Sequence, residues 1–452
     1  MSSYTIGGRL IKLAATASAA ALSLLFLASI PANAMKIEKV TTAKGIEAWL
    51  VEDHSRPIIS LQYAFSGGAS QDPDGKPGVA TFVSGMLDEG AGNLDSEAFQ
   101  TRLEDLAAKF SVSASHDHIT GSFSMLTQNR EESLKLLHMA LTSPHFAAKD
   151  AERIREQIVA SLRMEEKDPN KVAAIEWFKL AFGHHPYGRP TSGTLESVAA
   201  ITPADLHAYV QKMFARDNLK IAVVGDIDAK QLGAALDSVF GDLPAKSERK
   251  PVPDVSWQAS PLQKVVQLPN PQSVVQFGFQ GLKRSDPDFI PAYILNYVVG
   301  GGGFASKLMH EVREKRGLAY SVYTYLYPLE HAGIFAGGVA TENKSVAESL
   351  DLIKAELARA GREGLTEQEL RMAKDYLIGS FALRFDTSGK IAAQLLAVQL
   401  DNLGIDYIDR RNGEIEAVTV EDIKRVAKRL IEHKNLIVTI AGEPEGVKEV
   451  GL

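Results

Sequence analysis

Apolar and polar residues alternate with period two along Ile58 to Ser66 (IISLQYAFS) and again along Val274 to Gly281 (VVQFGFQG), which predicts two strands. Each is followed by a helix-period segment, one opening after Pro77-Gly78 and running to about Met86 or Glu89, the other beginning with Pro291 to Val299. Two short strands around a turn at Ala43-Lys44-Gly45 precede the first. The pattern then predicts an amphipathic helix over 96–110, with Phe99, Leu103, Leu106 and Phe110 on one face, and paired strands within 111–125. Helices follow over 130–141, over 148–181 with a break at Asp168-Pro169, and over 202–214, before a buried strand at Leu219 to Val224.

The second half repeats this order, with paired strands at 320–327 and 333–341 and helices over 344–361 and 366–385. The segments ITPADLHAYVQKMFARDNLKIAVVGD (201–226) and VTVEDIKRVAKRLIEHKNLIVTIAGE (418–443) agree residue class for residue class. A repeat this long means duplication of a whole domain rather than a solenoid. Consecutive strands between helix runs predict an α+β fold of two tandem homologous domains, each a mostly antiparallel sheet with helices on one face, arranged as a clamshell. The expected boundaries are 35–245 and 262–452, with the Pro- and charge-rich stretch 246–261 as linker.

Composition narrows the chemistry. There is no cysteine among the 452 residues, so disulfides, thiolate catalysis and sulfur-based zinc sites are excluded. Arg9 and Lys12, the apolar run Leu13 to Ile30 and the small-x-small end Pro31-Ala32-Asn33-Ala34 predict a cleavable export signal over 1–34, hence a periplasmic mature chain. Losing Arg9 and Lys12 with that signal takes the formal charge from −7 to −9, which disfavours a nucleic-acid partner. No later segment is long and apolar enough to predict a membrane span.

The stretch from Gly300 to Tyr325 (GGGGFASKLMHEVREKRGLAYSVYTY) carries the most pointed chemistry. A glycine run, Gly300 to Gly303, opens a helix, and Arg313 and Tyr320 stand seven positions apart across the turn at Gly317. A guanidinium and a phenol so placed can donate to a peptide carbonyl or a developing oxyanion. The glycines suit close approach of a substrate backbone. His116-Asp117-His118 is a rival metal site if both histidines share a strand face, but two ligands are too few for a tight one. His184-His185 and His310-Glu311 lack a second histidine at helical spacing, and no nucleophile elbow or phosphate-binding loop is present.

These segments, with His185-Pro186-Tyr187-Gly188, Gly193-Thr194, Val224-Gly225-Asp226 and Arg313 to Tyr320 in that order, resemble the insulinase/pitrilysin family of zinc metallopeptidases, in particular its short two-domain bacterial members. The resemblance covers 37–445. It implies a His-x-x-Glu-His motif on the helix after Pro77-Gly78, whose histidines bind zinc and whose glutamate is the base, and a distal glutamate near 160. Here the histidine positions are Thr81 and Gly85, the base position is Ser84, and the distal position falls at Ala160 or Ser161. The resemblance further implies that Arg313 and Tyr320 contact the substrate backbone near the scissile bond, and that such chains work in pairs. The expectation is a non-catalytic subunit, inert alone and without a cofactor of its own, whose partner carries the zinc motif. Peptides would be the substrates, taken up by strand addition. The alternatives are a pseudo-peptidase that binds peptides or serves as a scaffold without hydrolysis, and a self-sufficient hydrolase with a metal at His116 and His118.

Overall fold

The computed structural model describes residues 35–257, 260–431 and 435–451, so the predicted signal lies outside the described residues. Eleven strands among them form two sheets. The first contains β1 (Glu38–Thr41), β2 (Glu47–Glu52), β3 (Ile58–Ser66), β4 (Lys109–Ala114), β5 (His118–Leu126) and β6 (Leu219–Gly225) in the order β1-β2-β6-β3-β5-β4. The second contains β7 (Leu262–Gln267), β8 (Gln272–Gln280), β9 (Ala319–Pro328), β10 (Gly333–Glu342) and β11 (Ile437–Gly442) in the order β7-β11-β8-β10-β9. With β1 set aside the two topologies coincide strand for strand. Each has a single parallel pair, β2 with β6 and β7 with β11, in an otherwise antiparallel ladder.

The repeat extends to helix chemistry. In the helices Pro203–Met213 and Val420–Leu430 a threonine N-cap, Thr202 or Thr419, exchanges hydrogen bonds with an aspartate three residues on, Asp205 or Asp422. These reciprocal boxes satisfy backbone donors that a helix start would otherwise leave bare.

Successive residues of a strand point to opposite faces, and the two faces of each sheet have different partners. Ile59, Leu61, Tyr63 and Phe65 of β3, with Ile221 and Val223 of β6, pack into the core formed with the first half's own helices. Val275, Phe277 and Phe279 of β8, with Val438 and Ile440 of β11, do the same in the second half. The remaining face of each sheet is covered by a helix from the other half. Pro169–Phe182 lies against β8 and β11, and Ser388–Leu400 lies against β3 and β6. Trp177 is fully buried there with Ile334, Ala336 and Ile437, and its indole N–H donates to the Ile437 carbonyl at 3.0 Å. A Cβ at Gly278 would stand 2.7 Å from the Trp177 ring, so glycine is what lets the indole reach the sheet. Thr439 donates to the Ala173 carbonyl at 2.7 Å, and on the opposite side Gln399 donates to the Ile221 carbonyl at 2.9 Å.

A second tie joins two hairpin turns. Asp117, between β4 and β5, accepts from the Tyr187 hydroxyl and, at 3.0 Å, from the Glu330 N–H between β9 and β10. Between the helix Ala229–Phe240 and β7 the described residues form neither helix nor strand, but they are anchored. Gln71 and Lys250 exchange two hydrogen bonds, Pro253 O meets His185, and the Val255 N–H reaches His331 O.

Three expected helices are shorter than their patterns suggest: the one after Gly78 ends at Ser84, that of 366–385 ends at Gly379, and that of 96–110 stops early as well. The helix of 96–110 ends at Asp105, and Phe110 belongs to β4. Ala107 turns left-handed at φ 50°, and Ala107 and Ala108 donate back to the Glu104 and Leu103 carbonyls, closing the helix in a Schellman turn. Glycine normally marks such a stop, so alanine hid it.

Trp177→Ala is expected to destabilise the chain by about 3–5 kcal/mol through cavity formation and an orphaned carbonyl. Trp177→Phe is expected to cost about 1–3 kcal/mol from the carbonyl alone. Urea denaturation followed by circular dichroism measures both.

Candidate functional site

The helix Val79–Ser84 starts at Gly78, whose φ of 101° only glycine adopts freely. Asp72 organises this start. Its carboxylate accepts from the Gly78 N–H at 2.7 Å and the Ala80 N–H at 2.8 Å, while Arg189 contacts the Asp72 carbonyl. Burial pushes the Asp72 carboxyl up to about 7, against the opposing pull of those backbone donors and of Arg189. On the helix the Thr81 hydroxyl donates to the Thr191 carbonyl at 2.7 Å, and the Ser84 hydroxyl donates to the Thr81 carbonyl at 2.8 Å. Both hydroxyls are thus engaged with backbone, and Gly85 offers no side chain. Ala160 and Ser161 are exposed on the helix Ala148–Glu165. These residues do not fit a zinc ion, and no cluster of three or more His, Asp or Glu able to hold a metal occurs among the described residues.

The rival histidines do not share a strand face. His116 lies in the turn before β5 and stacks on Phe178 at 5.2 Å, while His118 begins β5. Burial lowers the pKa of both, and the Asp117 between them is committed to the tie between hairpins. His185 is likewise structural, its two ring nitrogens meeting the Tyr187 N–H and the Pro253 carbonyl. His310 pairs with Glu314 at 2.8 Å.

In the second half the structure does bring Arg313 and Tyr320 together. The Arg313 guanidinium carbon lies 4.9 Å from the Tyr320 ring centroid and 4.5 Å from that of Phe304. Both rings are open to solvent, Tyr320 at 83% and Phe304 at 67% exposure. Among the described residues no hydrogen bond or ion pair reaches the guanidinium, although two glutamates flank it in sequence. Glu311 accepts from Lys315 at 2.6 Å and Arg316 at 2.9 Å, which hold its carboxyl down to about 2, and Glu314 takes His310. Both flanking glutamates are therefore engaged elsewhere, and among the described residues Arg313 keeps its donors free.

The glycine run behaves differently from a simple helix opening. A π-helical turn at Tyr297–Gly301 takes in its first two glycines, a single 3-10 turn at Gly303–Ala305 begins on its last, and the helical segment carrying Arg313 is itself π-wound over Met309–Glu314. Such turns are strained relative to α-helix and concentrate at functional sites. A Cβ at Gly300 would fall 2.4 Å from the Thr324 hydroxyl, at Gly301 2.6 Å from the Asn296 amide nitrogen, and at Gly302 2.7 Å from the Tyr297 carbonyl. Three of the four glycines are therefore required by packing against β9 and the preceding turn. Only Gly303, at φ 58°, faces open space. The Val322 N–H points at Met309 Sδ, 3.4 Å away, so that one donor of the β9 edge is covered.

Comparison with known proteins decides the family. A crystal structure of a peptidase M16 inactive domain from Pseudomonas fluorescens aligns over 92% of this chain and all of its own, at 31% identity and a TM-score of 0.85. The chain belongs to the M16 peptidase family. The description "Insulinase (Peptidase family M16)" matches residues 48–195, and "Peptidase M16 inactive domain" matches 200–377. Relatives of this M16 chain include the non-peptidase homologue YmxG of Helicobacter pylori, 29% identical over 79% of this chain and 82% of its own. Another is an uncharacterised zinc protease of Mycobacterium leprae, 25% identical over 85% and 87% respectively. No His-x-x-Glu-His sequence occurs in this M16 member.

Two features of the M16 site were missed by sequence reasoning. Phe304 covers one face of Arg313, and the available signal was a large apolar residue set directly behind four glycines. Asp72 caps the degenerate helix, and its distance from Gly78 in sequence concealed the role.

A buried carboxyl that titrates near 7 when folded and near about 3.9 when unfolded binds its proton more tightly in the native state. Its stabilising contribution is complete at low pH and is lost as pH rises between about 4 and 7, an effect of about 3–4 kcal/mol. Urea midpoints between those limits should fall more steeply with pH for the wild type than for Asp72→Asn.

Proposed function

We propose that this chain is the non-catalytic subunit of a heterodimeric periplasmic M16 peptidase, supplying Arg313 and Tyr320 to a zinc site that lies on a homologous partner with an intact His-x-x-Glu-His motif. The observation that carries the reading is the contrast between the two halves. In the first, every motif position holds a residue that cannot bind metal. In the second, an arginine lies over two solvent-open rings with its donors unclaimed among the described residues. The names of the relatives, an inactive M16 domain and a non-peptidase homologue, support a non-catalytic role.

Arg313 and Tyr320 would donate to the substrate carbonyl and stabilise the negative charge that develops on it. The substrates would be unfolded peptides. Gly303, the one glycine of the run facing open space, is where a substrate backbone could pass closest, and Gly300, Gly301 and Gly302 shape the turn beneath it. Export follows from the leader pattern over 1–34.

The test is to assay peptide cleavage by the mature chain alone, by a zinc-motif partner alone, and by the two mixed. The chain alone is expected to be inert and the mixture active. Arg313→Ala in the mixture should lower kcat by about 100- to 1000-fold, the usual cost of losing an oxyanion donor. Chelator-sensitive hydrolysis by the lone chain would overturn the proposal. Peptide binding without hydrolysis in any mixture would favour a pseudo-peptidase that only binds.

A further inference from the structure

The Arg313 guanidinium carbon lies over the Phe304 ring at 4.5 Å and over the Tyr320 ring at 4.9 Å, and no hydrogen bond or ion pair reaches the guanidinium among the described residues. Phe304 uses one ring face on Arg313 and, at 67% exposure, leaves the rest of the ring in water. Nothing in the fold requires a phenylalanine at this place, because the residue lies on a solvent-facing 3-10 turn outside the buried core of the second half. The turn is nevertheless tightly fixed. The Ser306 hydroxyl donates to Gly303 O at 2.8 Å, and the Ala305 and Ser306 N–H groups donate back to Gly302 and Gly303.

Aromatic surface continues on the other side of the turn. A Cβ at Gly302 would lie 3.1 Å from the Tyr297 ring, so that ring rests directly on the glycine backbone, and it stacks at 5.1 Å on Tyr376, which is itself exposed. One unneutralised cation thus sits beside exposed aromatic surface. An amide carbonyl next to a large apolar side chain matches that pair of features. A simple anion would satisfy the arginine and leave the rings wet, and an apolar ligand would cover the rings while stranding the guanidinium.

We propose that Phe304 is a third member of the Arg313–Tyr320 site and a specificity determinant: it packs against a large apolar side chain of an extended peptide, adjacent to the carbonyl that Arg313 binds. This rests on the reading of Arg313 as a substrate-carbonyl donor. Phe304 also packs against the guanidinium, so it positions Arg313 while selecting the substrate.

The test uses the mature chain without a partner and two fluorescein-labelled unstructured peptides, identical except for a central leucine in one and serine in the other. Fluorescence anisotropy should show the leucine peptide binding about tenfold more tightly, as burial of one aliphatic side chain provides. Phe304→Ala is expected to remove that preference, and Phe304→Trp to keep it. Arg313→Ala should weaken both peptides and leave the preference standing. Preserved preference in Phe304→Ala, or absence of binding or of preference in the wild type, would overturn the inference. So would a Phe304→Ala chain altered only in its sedimentation, which would make this face a contact between copies. A phenylalanine-dependent preference in a chain that never supports hydrolysis with any partner would overturn the subunit role and leave this inference standing.

Discussion

The structure depends on an exchange of helices between two copies of one fold. A sheet with apolar residues on both faces needs cover on both, and each half supplies helices for only one face of its own. Pro169–Phe182 covers the second sheet and Ser388–Leu400 covers the first. The contacts are specific as well as apolar, since Trp177, Thr439 and Gln399 each donate to a backbone carbonyl across the junction. Parting the halves would bare both sheets and leave those buried carbonyls without donors. The tie through Asp117, Tyr187 and Glu330 then fixes the hairpin turns against one another.

Duplication gave both halves the same scaffold, and the chemistry then diverged along it. The helix after β3 and the helix after β8 occupy corresponding places, yet their supporting charges differ. Asp72 is buried and meets backbone N–H groups at the first helix. At the second, Asp288 is held by Arg425 at 2.8 Å and Arg429 at 2.7 Å, which keep its carboxyl below the usual range despite burial. The first half thereby holds a well-capped helix whose outward residues do nothing chemical. The second half has spent its regular helix geometry on π turns that set the glycine run and Arg313 in place.

Much of this was legible along the chain. The bounds of β3 followed from alternation alone, the break at Asp168 from the proline after it, and the repeat from residue classes that turned out to include the same capping boxes. The spacing of Arg313 and Tyr320 was readable because a short helix-to-strand turn is a local object. What could not be read were relations between distant segments. Nothing in the amphipathicity of Pro169–Phe182 says that Trp177 packs on the other half's sheet. The alternation of His116 and His118 suggested a shared face, which a hairpin turn at Asp117 removes. The glycine run was read as space for a substrate, whereas Thr324, Asn296 and Tyr297 already fill most of that space.

The survival of one half of the site without the other has a physical reason. A zinc site is collective: its ligands repel one another or stay protonated unless the metal holds them, so removing one frees the rest to change. Here the vacated positions carry hydroxyls that bond to backbone carbonyls and a glycine, which keep the helix intact without any demand for a metal. The arginine is self-contained by comparison. Two aromatic rings support it, while Glu311 pairs with Lys315 and Arg316 and Glu314 meets the His310 ring. Glu311 and Glu314, two positions before and one after Arg313, do not face it on the turn and pair with other residues. Arg313 is left with two aromatic rings and no carboxylate partner among the described residues.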